Sequence, residues 1–96
     1  MCLVIRVKEV RGRCPVFKGR EEFVIEGPNL RIEKGDAVCI HALPVLLHFS
    51  MALREGREPV ELGLAKEGRK AYLQCPDPGE PYTEGGTVIF EIEHKK

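Results

Sequence analysis

The sequence predicts an α+β domain, an antiparallel or mixed β-sheet with one main α-helix packed on it. Three observations predict this class. Apolar residues alternate with period two near both ends, at Leu3-Val4-Ile5-Arg6-Val7 and Val88-Ile89-Phe90-Glu91-Ile92. A central stretch instead repeats apolar residues at three- and four-residue steps. The 96 residues suit a single domain, 1–96, with one core.

The first strand is expected within 1–10, because Leu3, Ile5 and Val7 share one face and Val4, Arg6 and Lys8 the other. Gly12-Arg13-Cys14-Pro15 ends it, since proline cannot donate to a ladder and biases the residue before it towards an extended backbone. A second strand follows at 22–26, with Phe23 and Ile25 on one face. Gly27-Pro28-Asn29 is a turn signal and Leu30-Arg31-Ile32 a short extended piece.

The one strong helix is expected over 37–55. Cys39, Ala42, Leu43, Leu46, Phe49, Ser50 and Leu53 fall on one stripe, with Asp36 as N-cap and Gly56 as the stop. Pro44 must then sit in the first turn or bend the helix. The opposite face, with His41, Leu47, His48 and Met51, is too apolar for a solvated surface, so a homo-oligomer through this helix is expected. A weak strand at 60–62, a strand at 70–75, a dense turn at Cys75-Pro76-Asp77-Pro78-Gly79 and a final strand at 88–93 complete the chain. Should the first and last strands be neighbours, Glu91 and Glu93 would pair with Arg6 and Lys8.

Fifteen basic and fifteen acidic residues leave a formal net charge of zero, which argues against a nucleic-acid partner. Arg11, Arg13, Lys18 and Arg20 cluster without interleaved aromatics and read as a solvated loop. The uncharged run 37–53 contains two histidines, a serine and a proline, and reads as a buried helix rather than a membrane span. Four cysteines behind no secretory leader point to free thiols in a reducing, cytoplasmic compartment.

The thiols carry the candidate chemistry. Cys14 and Cys75 each precede a proline in a turn, and Cys39 is expected to open the helix. Their long spacing is unlike a zinc finger or ribbon, yet two turns and a helix start can converge on one point. A fourth ligand would come from His41 or Asp77, and thiolate ligation favours zinc or an iron centre over magnesium or calcium. Two alternatives stand beside this metal site. Free cysteines often pack as small hydrophobes, the reading that suits Cys2, and a reactive thiol would be sought at Cys39 or Cys75. A helix N-terminus activates a thiol, whereas burial suppresses it.

The other candidates are weaker. At helical spacing His41 and His48 lie about two turns apart, too far to share a metal within one chain. His94 is placed in a frayed terminus. Asp77, between two prolines, is a candidate for chemistry, as general base or ligand, but more commonly such a residue closes an Asx turn on its own backbone. Tyr72 and Tyr82 read as core and rim aromatics. No glycine-rich phosphate loop, nucleophile elbow or His-Glu metalloprotease motif occurs, so binding is expected rather than catalysis.

Taken together, Gly12-x-Cys14-Pro15, a strand with Phe23 and Ile25, a helix opening at Cys39 and ending Ala52-Leu53-Arg54-x-Gly56, and Cys75-Pro76-Asp77-Pro78 before Val88-x-Phe90-Glu91-Ile92 form an ordered set over nearly the whole chain. This set resembles a family of uncharacterised small bacterial and archaeal proteins of about ninety residues, marked by an early Cys-Pro and a late Cys-Pro-Asp-Pro. The family pattern continues the first Cys-Pro with Gly-His-Lys, where this chain has Val16-Phe17-Lys18, so no role of that histidine carries over. The family's Pro-Trp after the helix is Pro59-Val60 here. The resemblance implies that Cys14, Cys39 and Cys75 belong to the family's pattern, and it implies no activity. The function expected is therefore a small binding or accessory module whose three cysteines hold a metal ion or cluster. The alternatives are a homo-oligomeric interaction domain with buried reduced thiols, or a thiol redox protein.

Overall fold

A computed structural model describes residues 2–95. Six elements follow in order: β1 (Cys2–Arg11), β2 (Glu22–Glu26), β3 (Asn29–Lys34), α1 (Leu43–Arg54), β4 (Lys70–Gln74) and β5 (Thr87–Lys95). The five strands make one antiparallel sheet in the order β3-β2-β1-β5-β4, with the helix on one face. This is the α+β architecture expected, and its sheet is wholly antiparallel. Met1, included in the expected first strand, lies outside the described residues.

Alternation decides which face each strand buries. Leu3, Ile5 and Val7 of β1, Phe23 and Ile25 of β2, Ala71 and Leu73 of β4, and Val88, Phe90 and Ile92 of β5 form one core with Ala42, Leu46 and Leu53. The opposite face of the sheet is a charged layer. Arg6 lies opposite both Glu22 and Glu91, bridges Glu22 at 2.9 Å and Glu93 at 3.0 Å, and reaches Glu91 at 3.7 Å. Lys8 lies 3.5 Å from Glu91, so the cross-strand pairing expected of the first and last strands is present. Tyr72 belongs to this layer, not to the core, and donates its hydroxyl to Glu91.

The helix departs from expectation at its start. It begins at Leu43, and 37–42 is irregular, so Asp36 is not its N-cap and Cys39 does not open it. Pro44 explains this: inside a longer helix its ring would collide with the preceding turn and forfeit a hydrogen bond, so the helix starts where Pro44 falls in the first turn. The stop is as expected. Gly56 (φ +87°) donates to the Leu53 carbonyl and Arg57 to that of Ala52, the paired bonds of a Schellman ending. Gly27 (φ +57°) supplies the left-handed residue that a two-residue β2–β3 turn requires. The segment 60–62 is a turn and not a strand. No helix among the described residues is long and apolar enough to cross a membrane.

Candidate functional site

The topology gathers the cysteines. Arg11 at the end of β1 faces Thr87 at the start of β5, and Gln74 at the end of β4 faces Ile89. Glu22 at the start of β2 faces Lys34 at the end of β3. The β1–β2, β3–α1 and β4–β5 connections therefore all leave the same end of the sheet. Each carries one of the cysteines: Cys14, Cys39 and Cys75 respectively. All three line a single cavity of about 680 Å³, together with His41 and Asp77. Phe17, Val38, Ala42 and Val88 supply apolar wall.

Two of the three sulfurs are pinned by backbone groups. Phe17 donates its N–H to Cys14 Sγ at 3.3 Å, a local turn that follows from the Cys-Pro step. Val88 donates to Cys75 Sγ at 3.3 Å, and the Cys75 thiol reaches the Gly86 carbonyl at 3.7 Å. Cys39 accepts no such bond to sulfur among the described residues; only its carbonyl is engaged, by the N–H groups of Ala42 and Leu43. All four cysteines are free thiols, with Cys75 buried and the others half-buried.

Asp77 is committed elsewhere. Its Oδ1 accepts the Gly79 N–H at 2.9 Å and the Thr83 hydroxyl, while its carbonyl accepts the Thr87 hydroxyl at 2.9 Å. The Thr83 and Gly79 bonds, with the nearby His41, hold its carboxyl below the usual carboxylate range. It is an Asx-type staple of the β4–β5 connection, the second of the two roles its sequence context suggested. His41 precedes the helix and is exposed, as is His48, so the shared helix face expected of them is not formed. Among the described residues, no three His, Cys, Asp or Glu side chains stand as a group that could hold a metal ion. The cysteines share a cavity, but not ligating positions. His94, expected in a frayed terminus, is part of β5, and its buried Nε2 has no partner among the described residues.

No protein-family model, curated protein or solved structure matches this chain.

Two features of this end were not legible in the sequence. Phe17, in the loop read as solvated, is 1% exposed and packs edge-on against Phe90 at 5.5 Å. Glu21 is buried beside it, its carboxylate accepting the N–H groups of Lys18, Gly19 and Arg20 at 2.8–3.1 Å. The only signal for Phe17 was one aromatic among charges, whose burial depends on the distant Phe90. A larger cavity, about 790 Å³, lies at the other end of α1. Its charged wall is largely paired already, Arg69 with Glu58, Lys70 with Glu91 and Glu93 with Arg6, which leaves the thiol-lined pocket as the candidate site.

Proposed function

We propose that the protein is a small binding module whose ligand enters the thiol-lined pocket, and that this ligand is a soft metal ion or cluster, zinc or iron, held by Cys14, Cys39 and Cys75. One observation carries the reading: three cysteines, remote in sequence and on three separate connections, line one cavity. Sulfur donors in a mostly apolar wall suit a soft cation and not magnesium or calcium. The resemblance to proteins that share these Cys-Pro and Cys-Pro-Asp-Pro motifs supports the same three residues. Because the donors do not stand as a ligating group, binding requires the pocket side chains to draw together around the ion. The fourth ligand is His41 or Asp77, both of which line the pocket; the Asp77 Oδ1 is already engaged by Gly79 and Thr83. Free thiols fit a reducing cytoplasm.

Untagged protein is expected to take up about one equivalent of zinc or iron per chain and to melt at a lower temperature after chelation. Cys14→Ser, Cys39→Ser and Cys75→Ser should each abolish uptake. Protein that binds neither metal by elemental analysis and titration, and whose melting ignores chelators, refutes the proposal.

A second reading, a homo-oligomeric scaffold with reduced thiols and no chemistry, is favoured by the helix's outer face, where Leu47 is 47% and Met51 61% exposed. It requires a dimer in sedimentation equilibrium that Leu47→Glu with Met51→Glu converts to monomer. A monomeric wild type ends it.

A further inference from the structure

We infer that Gly86 is a positioning residue of the thiol pocket: its missing side chain seats the Cys14 turn directly on the backbone that holds the Cys75 thiol, and so sets the spacing of these two sulfurs. The inference deepens the proposed binding role and rests on it for its purpose, though its test does not need a metal ion.

The geometry is a sandwich. On one side the Gly86 carbonyl accepts the Cys75 S–H at 3.7 Å, and Val88, two residues on, donates to the same sulfur at 3.3 Å. On the other side a Cβ at position 86 would stand 2.7 Å from the Arg13 carbonyl carbon, 2.8 Å from its oxygen and 2.9 Å from the Cys14 nitrogen. Those are backbone atoms, which no change of rotamer can move aside. The backbone at Gly86 is not left-handed, so alanine meets no conformational objection there and the obstacle is contact alone. Its neighbour behaves differently. A Cβ at Gly85 would overlap the Asp77 carboxylate, a side chain that can give way only by loosening its bonds to Gly79 and Thr83. Gly85 thus accommodates Asp77, whereas Gly86 accommodates Cys14.

It follows that Cys14 and Cys75 are the fixed pair of the pocket, presented at constant spacing, and that Cys39 is the variable third. A thiophilic centre that bonds two sulfurs at once should find that pair first.

Phenylarsine oxide is a suitable probe. Its arsenic bonds to two thiol sulfurs, the two thiol protons pass to the arsenic-bound oxygen, and one water leaves. In a Cys2→Ser, Cys39→Ser background the arsenical should bridge Cys14 and Cys75, read as loss of both free thiols. Gly86→Ala should weaken bridging by about tenfold or more, the usual consequence of overpacking against an unyielding surface. Gly85→Ala, which disturbs the Asp77 staple but not the seat of the Cys14 turn, should weaken it clearly less than Gly86→Ala does. A merely structural role would lower both alike. Should Gly86→Ala not fold, the three pairwise sets on the Cys2→Ser background, retaining Cys14/Cys75, Cys14/Cys39 or Cys39/Cys75, carry the test, and Cys14/Cys75 should bridge tightest.

Unchanged bridging in Gly86→Ala, equal loss in Gly85→Ala, a tighter rival pair, or no bridging of Cys14 and Cys75 overturns the inference. Absent zinc and iron uptake with bridging intact would remove the metal reading and leave the role of Gly86 standing; uptake without bridging would do the reverse.

Discussion

Glu21 shows how one side chain organises a loop that its composition left featureless. Burial would push its carboxyl upward, but the backbone N–H groups of Lys18, Gly19 and Arg20, with its own, outweigh that and hold it below the ordinary carboxylate range. A carboxylate that answers three otherwise unpaired donors fixes the path of 18–21, and hence the seating of Phe17 and the Cys14 turn. Glu21→Gln, which keeps the shape but removes the charge, is expected to cost about 2 kcal/mol in urea-induced unfolding. Its effect should be largest at neutral pH and shrink in acid, where the wild-type carboxylate is itself protonated. Gly35 supports the same residue, since a Cβ there would stand 2.6 Å from Glu21 Cγ.

Among the elements, α1 depends on packing more than on its own ends. Its N-cap residue, Ala42, makes no side-chain capping bond, and no acidic residue stands in its first turn. What holds it is the Schellman ending and the inward stripe of Leu46, Ser50 and Leu53 on the sheet. Leu46, 1% exposed, is the centre of that stripe, and Leu46→Ala should destabilise the fold by about 3 kcal/mol, measured from the denaturation midpoint. Met51→Ala, on the outer face, should change stability of a monomeric chain by less than about 0.5 kcal/mol. The edge strand β3 is exposed at every residue, yet a register shift beside Glu22 and the charges of Arg31, Glu33 and Lys34 blunt it against edge-to-edge pairing.

At the scale of the whole molecule, the sheet is held from both sides, by an apolar core under the helix and an ion-pair layer above. Glu91, 4% exposed, is the centre of the upper layer. Burial pushes its carboxyl up, but the Tyr72 hydroxyl and the ammonium groups of Lys70 and Lys8 prevail and keep it below the usual range. Arg6 does the same for Glu93. With Glu21, these carboxylates have lowered values in the folded state. Their contribution is complete above the ordinary carboxylate range and is lost as the pH falls through the lowered values. Thermal stability should therefore hold down to about pH 5 and decline progressively below about pH 4. Melting curves across that range check this, and a stability that rises on acidification would contradict it.

The α+β class, β2 at Glu22–Glu26, the final strand and the stop at Gly56 were legible because each depends on near neighbours: alternation, helical spacing and a residue able to turn left-handed. The helix start was misplaced because an apolar stripe continues through 37–42 whether or not the backbone coils, and Pro44 decides that it does not. Sequence alone identified Cys14, Cys39 and Cys75 as the residues of interest. Only the chain's topology decided that their three connections leave one end of the sheet and open on one cavity, that Asp77 turns back on its own loop, and that Phe17 is core. The physical reason is range. Strand and turn preferences act over a few residues, whereas the meeting of Cys14 with Cys75 depends on β1 pairing with β5 across almost the whole chain.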